Sequence, residues 1–487
     1  MNMVPDLDKD LMALQSARHL LANARHAATA FAAFDEATAK EIGRTIAERM
    51  SLRAEHYAKA ELREGGFGNL ADKLTKFRLT TLPLYEELKD LKLGGARRVA
   101  ADKVVEICRP AGVIVGLSNS TSPVTTVIFK AICAMMTRNA IVFSPHPALL
   151  DCTVEAAREI AAIAEAAGAP KHAIQVLDTP TMQAVDAMMK SPLTDLILAT
   201  GGGPMVRAAY SSGNPALGVG PGNAPVYVDA SADLDRAAEM ILEGKDFDHG
   251  TPCSAPSVIL ADRPVAAKLR ELLQARGGHV FCEDGTRALR DHAFPGGKLN
   301  VAIVGKSSET IASSAGLSVA QNCRALICPL ANPDRTEPLL KEKLSPVLGF
   351  TEVDGIDGAI DVAREMLTLA GAGHTCGIYT ADPGQAVQFG VMLDYNRIVV
   401  NENVTTGAIG FNTGLPTTTT IGTGFAGRSS VDHNVGPLDL INWKRVAFPL
   451  ELRDLDAVAP PPATGAVPET WKNELRALLR EELARTV

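Results

Sequence analysis

Leu196-Ile-Leu-Ala-Thr200-Gly201-Gly202-Gly203-Pro204-Met205-Val206 reads as a strand that ends in glycines and enters a helix. Backbone N–H groups at such a helix start face outward and suit a phosphate or a ribose. The run lacks the G-x-G-x-x-G spacing, so taken alone it fits a cofactor turn or a plain tight turn. The same texture continues on both sides. Upstream lie Gly112-Val-Ile-Val115, Ala140-Ile-Val-Phe143 and Ala173-Ile-Gln-Val176, with a helical stretch from Val154 to Ala166 between them. Downstream lie Pro225-Val-Tyr-Val228, Ser257-Val-Ile-Leu260 and Arg397-Ile-Val-Val-Asn401. Short β-branched runs alternating with helices predict parallel, doubly wound sheets in an α/β protein. The second set predicts a second α/β domain beginning near 222. Residues 7 to 60 carry Ala, Leu and Phe at helical spacing, with no Pro or Gly breaker before Gly43.

The bulk composition agrees. A length of 487 residues is too great for one compact core and predicts two to three domains. A net charge of -8 argues against nucleic acid as the main partner. No apolar run approaches the ~18 residues of a membrane span, and Met1 to Asp10 has no signal-peptide core. The eight cysteines are scattered without a C-x-x-C pair, which argues against a disulfide framework and against a metal site. A reducing cytoplasm fits, with one thiol free to serve as a nucleophile.

Two further segments carry chemistry. Leu217-Gly-Val-Gly-Pro-Gly222-Asn-Ala-Pro225 places glycines before a strand, as a hinge or as a point of close backbone approach. Lys245-Asp-Phe-Asp-His-Gly250-Thr-Pro-Cys253-Ser-Ala places a cysteine after a turn, as a presented nucleophile or a buried structural thiol.

These residues resemble the aldehyde dehydrogenase superfamily, and within it the coenzyme A-acylating branch. The resemblance runs from about 10 to 448. Besides the stretch from Ile197 to Cys253 it includes Asn139-Ala-Ile-Val-Phe-Ser-Pro-His-Pro147, Glu342-Lys-Leu-Ser-Pro-Val347, Gly373-His-Thr375 and Phe411 to Gly436. It implies a cofactor domain over 1–96 and 110–221 and a catalytic domain over 222–436. It also implies a β-hairpin oligomerisation element over 97–109, joined by 437–450, and hence a homodimer or homotetramer. Cys253 stands where the family has its nucleophile. Thr200, Gly201, Gly202 and Gly203 match the turn near the nicotinamide end of the cofactor, Gly220 is a further cofactor-binding position, and Glu342 matches the glutamate on the nicotinamide ribose. Ser144, Pro145 and His146 match the adenosine-ribose region. Ser144 leaves room for a 2′-phosphate but brings no cation, which favours NAD over NADP.

Two departures are informative. Hydrolytic relatives carry a water-activating glutamate where this chain has Val219. Without a general base, a thioester facing water forgoes roughly 10²–10⁴-fold of catalysis. A thiol needs less help, so the loss fits transfer to coenzyme A. The oxyanion position reads Ser118-Asn-Ser-Thr121-Ser-Pro123, leaving Asn119 and Thr121 both open as donors beside the Cys253 N–H. His249 and His374 are candidates to accept the coenzyme A proton. Arg428 lies in a segment that borders the substrate tunnel in relatives, where it would suit an anionic aldehyde such as succinate semialdehyde or sulfoacetaldehyde. A short neutral aldehyde is the first expectation, and a hydrolytic enzyme or a non-catalytic scaffold are the rivals. Finally, Asp456 to Pro468 has a Pro/Ala linker composition, and Glu469 to Arg485 places Trp471, Leu475, Leu478, Leu479 and Leu483 on one helical face. Linker 451–468 and helix 469–487 resemble the encapsulation peptides of bacterial microcompartment cargo. That resemblance implies shell or cargo partners and a place inside a microcompartment.

Overall fold

A computed structural model describes residues 8–99 and 103–449; the linker and helix expected after 450 lie outside the described residues. The N-terminal region is helical, as its spacing predicts, in three pieces: Lys9–Phe31, Glu36–Ser51 and Ala54–Gly65. Asp35 caps the second, its Oδ1 accepting the Thr38 N–H at 2.8 Å. Gly43 does not break that helix. It lets the helix approach the neighbouring helix Pro123–Met136, because a Cβ there would lie 2.6 Å from Met136 Cγ.

Fifteen strands follow along the described chain: β1 (Ala96–Val99), β2 (Val104–Pro110), β3 (Val113–Leu117), β4 (Ala140–Ser144), β5 (Ile174–Val176), β6 (Leu196–Thr200), β7 (Ala216–Val219), β8 (Ala224–Val228), β9 (Pro256–Asp262), β10 (Gly278–Val280), β11 (Ala325–Pro329), β12 (Val347–Val353), β13 (Cys376–Tyr379), β14 (Ile398–Val400) and β15 (Ile441–Ala447). They form three sheets. One has five strands in the order β5-β4-β3-β6-β7 and another seven in the order β10-β11-β12-β9-β8-β13-β14. Every pairing in both is parallel. The third is antiparallel, β1-β2-β15, with Ala96 opposite Ile107 and Trp443 opposite Cys108. The fold class is therefore the α/β, doubly wound one expected, with helices between parallel strands. The chain crosses from the five-stranded to the seven-stranded sheet between Val219 and Ala224.

This topology creates the site. The loops after β3, β4, β6 and β7 leave the carboxyl ends of one sheet. The loops before β9, β12 and β13 enter the amino ends of the other. Ligands of open parallel sheets bind outside the carboxyl ends, where the connections diverge. Helix Pro123–Met136 is buried along its whole length beneath the five-stranded sheet. Its Lys130 ammonium donates to Leu117 O at 2.6 Å and Leu198 O at 2.9 Å, tying together the ends of β3 and β6. Burial pushes the Lys130 pKa down to about 7.

Candidate active site

Cys253 ends a turn of unusual geometry. Helix Leu234–Asp246 stops, and Asp248, His249 and Gly250 follow with φ of 48°, 54° and 69°. Left-handed backbone costs a residue with a Cβ roughly 1–2 kcal/mol. Asp248 holds the turn: its N–H donates to Asp72 Oδ2 at 2.7 Å, and its carboxylate accepts from the Asn69 N–H at 2.9 Å and from Thr251 Oγ1 at 3.1 Å. The turn delivers Cys253 to a cavity of about 380 Å³ between the two parallel sheets. Gly222 closes against it from the crossover. A Cβ at 222 would sit 1.7 Å from the Cys253 carbonyl oxygen, so only glycine fits.

Among the described residues the sulfur has one side-chain partner. His374 Nε2 lies 3.1 Å from Cys253 Sγ, and its Nδ1 lies 3.1 Å from Thr375 Oγ1. Burial, helped by the Arg397 guanidinium, holds the His374 pKa near about 3, so the imidazole is neutral. Burial and then the Glu342 carboxylate push the Cys253 thiol up to about 12. The resting pair is thus thiol and neutral imidazole. Arg397 fixes the His374 backbone: its guanidinium donates to His374 O at 3.3 Å, Gly422 O at 2.7 Å, Asp432 O at 3.2 Å and Asn434 Oδ1 at 2.6 Å.

Across the cavity stand Asn119 and Thr121. Asn119 Nδ2 donates to Thr121 Oγ1 at 3.1 Å and Asn119 Oδ1 accepts from Thr126 Oγ1 at 3.4 Å. With that amide donating to its oxygen, the Thr121 hydroxyl proton is free to point elsewhere. Thr200, Gly201, Gly202, Gly220, His146 and Glu342 line the remainder. A Cβ added at Gly201 or Gly202 would approach no atom closer than 3.8 Å, and one at Gly220 would meet nothing within 4 Å. These glycines therefore border open space, and helix Gly203–Tyr210 starts there with no side-chain cap on its N–H groups. Glu342 Oε1 accepts the Gly222 N–H at 3.1 Å, and burial raises its carboxyl to about 7. A helix start without a side-chain cap, an uncrowded glycine wall and a carboxylate suited to hydroxyls fit a dinucleotide. Val219 ends β7, buried and at the cavity wall.

A family model for the aldehyde dehydrogenase family matches residues 11–288. The chain belongs to the aldehyde dehydrogenase family. Among its relatives is the bifunctional aldehyde-alcohol dehydrogenase of Escherichia coli, 37% identical over 436 residues. The match covers 88% of this chain and 49% of that one, so the chain spans about half the length of that relative. The succinate-semialdehyde dehydrogenase (acetylating) of Clostridium kluyveri is 32% identical over 89% of this chain and 96% of its own. Among solved structures, an acetylating aldehyde dehydrogenase from Geobacillus thermoglucosidasius superposes with a TM-score of 0.89 at 38% identity, covering 92% and 99% of the two chains. A propionaldehyde dehydrogenase from the Clostridium phytofermentans fucose utilisation microcompartment gives 0.81 at 26%, covering 90% and 98%. A Rhodopseudomonas palustris propionaldehyde dehydrogenase with bound coenzyme A and an acylated cysteine gives 0.80 at 25%, covering 89% and 97%.

Not every residue singled out from the sequence reaches the cavity wall. Ser144, Pro145, Gly203 and His374 are not among the residues that line it; Ser144 ends β4, and its carbonyl accepts the Ser118 N–H at 3.2 Å. Arg428 sits in an exposed left-handed turn with φ 57° and does not line the cavity. His249 points its Nδ1 to Gly305 O at 3.2 Å and is not at the wall either. Conversely, Lys76 from helix Leu70–Leu79 does line it. The sequence flags neither Lys76 nor Arg397, since each reads as an ordinary surface cation. Among the described residues no group of His, Cys, Asp and Glu is arranged to hold a metal ion, and no helix is long and apolar enough to cross a membrane.

Proposed function

We propose that the chain is a coenzyme A-acylating aldehyde dehydrogenase that converts a short, uncharged aldehyde, coenzyme A and NAD into an acyl-CoA and NADH. The observation that carries this reading is the wall around Cys253. Cys253 and the apolar Val219 line it, Val219 standing where water activation would need a carboxylate, and a buried neutral histidine off the wall pairs with the sulfur.

In this reading Cys253 Sγ bonds to the aldehyde carbon while its proton passes to His374 Nε2. The carbonyl oxygen becomes an oxyanion facing the Thr121 hydroxyl, the Asn119 amide and the Cys253 N–H. A bound dinucleotide would supply the hydride acceptor, and the 200–202 turn, Gly220 and Glu342 would hold it. Loss of hydride from the carbon leaves Cys253 as a thioester, and His374 releases its proton to solvent. The thiol of coenzyme A then gives its proton to His374 as its sulfur bonds to the acyl carbon. The tetrahedral adduct collapses, the bond to Cys253 breaks, and the departing sulfur recovers that proton. One proton is released per turnover, as the overall equation requires.

An uncharged substrate is supported by the cations nearby. Lys76 is the only lysine or arginine among the described residues that line the cavity, and its ammonium already contacts the Asp248 carboxylate at 2.6 Å. Arg397 is committed to four acceptors. A carboxylated or sulfonated aldehyde would have to bury its charge without a free partner, which is costly. NAD is preferred over NADP in this reading because Ser144, matched to the adenosine-ribose region, brings no cation.

The wider setting is proposed on the same footing. Residues 1–96 and 110–221 form the cofactor domain, and 222–436 the catalytic domain. The antiparallel β1-β2-β15 sheet is the contact through which protomers pair, β15 being exposed along much of its length. The protein works in the cytoplasm inside a microcompartment, with 469–487 as its address. Fusing 451–487 to a fluorescent reporter and looking for co-purification with shells tests that part.

The reaction itself is tested by NADH formation from propanal with and without coenzyme A, with mass analysis of the product. Coenzyme A-dependent turnover to propanoyl-CoA, abolished in Cys253→Ala, is expected. Sustained turnover to free propanoate without coenzyme A would sink the proposal.

A further inference from the structure

A buried cluster of four charges lies beside the site: Glu61, Lys73, Lys76 and Asp248, each no more than 8% exposed. It holds two lysines and two acids, and burial raises the Glu61 carboxyl against the pull of Lys73. Lys73 Nζ stands 3.5 Å from both Glu61 Oε2 and Asp248 Oδ2. Glu61 Oε1 accepts the Val124 N–H at 3.0 Å, at the start of the helix that follows the 118–122 loop. Lys76 Nζ makes the connection that matters. It donates to Asp248 Oδ2 at 2.6 Å and to Ser122 Oγ at 2.8 Å, and stands 3.5 Å from Thr121 O. One ammonium thus touches both walls, the loop of Asn119 and Thr121 and the turn that presents Cys253. The Asp248 end is clamped further. A Cβ on Gly68, itself left-handed at φ 78°, would lie 2.0 Å from Asp248 Oδ1, so the Gly68–Asn69 turn is moulded around that carboxylate. The Lys76 ammonium also lies 5.8 Å from the centre of the Phe247 ring. Burial alone would raise the Asp248 carboxyl, but Lys76 and Lys73 hold it below its ordinary value, so it is ionised.

We infer that Lys76 and Asp248 form a strut that sets the separation between the oxyanion loop and the nucleophile turn, and that both are positioning residues for the reaction proposed above. The inference rests on that reading for its chemistry. A displacement of about 1 Å in such a site costs on the order of 10²-fold in rate. A buried pair is awkward to test singly, because removing one partner unbalances the buried charge and destabilises the fold whatever its role. Removing both does not unbalance it.

The experiment compares Lys76→Met, Asp248→Asn, the double variant and Ser122→Ala. Thermal midpoints, propanal kcat and KM with coenzyme A, and the rate of Cys253 alkylation by iodoacetamide are read for each. The strut predicts that thermal stability falls in both single variants and recovers in the double. It also predicts that kcat stays down by about 10²-fold in all three while KM moves less than about threefold. Ser122→Ala keeps every charge and should retain the wild-type midpoint yet lose about tenfold in kcat. If kcat in the double returns to wild type together with its midpoint, or if Ser122→Ala keeps wild-type kcat, the cluster only holds the fold and the inference is overturned. If the wild type itself lacks coenzyme A-dependent turnover, the proposed function fails separately. The alkylation rates then decide the strut, which requires them to change in the double and which an unchanged rate refutes.

Discussion

Val219 and Glu342 bracket the chemistry at the scale of single residues. Val219→Glu would restore a carboxylate to the cavity wall. The expected result is a rise of about 10–10²-fold in NADH formation without coenzyme A, with free acid as the product by mass. No gain would mean that the wall holds water out by shape rather than by lack of a base. Glu342 acts on the sulfur through its field. After burial it is the next largest cause of the high Cys253 pKa. Glu342→Gln removes that anion, so the thiolate fraction grows and iodoacetamide should inactivate the enzyme faster at pH 8. The change should be at least ~2-fold, which a shift of only ~0.3 unit produces. For the unaltered enzyme the sign is fixed by a thiol pushed up to about 12: alkylation should climb with pH without levelling off through about pH 10.

At the scale of elements, the crossover between β7 and β8 is where sequence and structure inform each other best. Its glycines implied a close backbone approach, and the approach is to the carbonyl of Cys253 itself. Gly222→Ala should lower the melting temperature and cut kcat by more than about 10²-fold, since the methyl group would push the nucleophile turn aside. Circular dichroism melts and turnover check both. The strands were legible because β-branched runs between turns have few other uses. Gly112 and Asn401, read as strand ends, instead have positive φ and lie just outside β3 and β14. What remained hidden depends on contacts that no local pattern carries. His374 and Cys253 are 121 positions apart yet 3.1 Å from each other, and taken alone His374 reads as a structural histidine. Lys76 sits on a mixed-charge helix whose spacing suggests solvent, whereas the fold turns it inward. Arg428 was legible as a cation near the tunnel, but its left-handed turn faces outward.

For the whole molecule, the cavity lies between two sheets and takes residues from each. A ligand that bridges them binds only the folded, apposed arrangement and so stabilises it. NAD at 100 times its dissociation constant should add about 2.7 kcal/mol to the unfolding free energy. The expected observation is a higher melting temperature with NAD, and a smaller increase in Glu342→Ala at the same concentration. An identical increase in that variant would remove Glu342 from the cofactor site.

The protonated, half-covered sulfur of Cys253 has a consequence for durability. Oxidation and electrophilic damage follow thiolate character and exposure. A sulfur held as the thiol by its surroundings is slow to meet either fate. Among the cysteines, Cys282 is exposed and the six others besides Cys253 are buried. Peroxide or a labelling reagent therefore reaches Cys282 first, and ageing should mark the surface of the molecule well before it silences the chemistry.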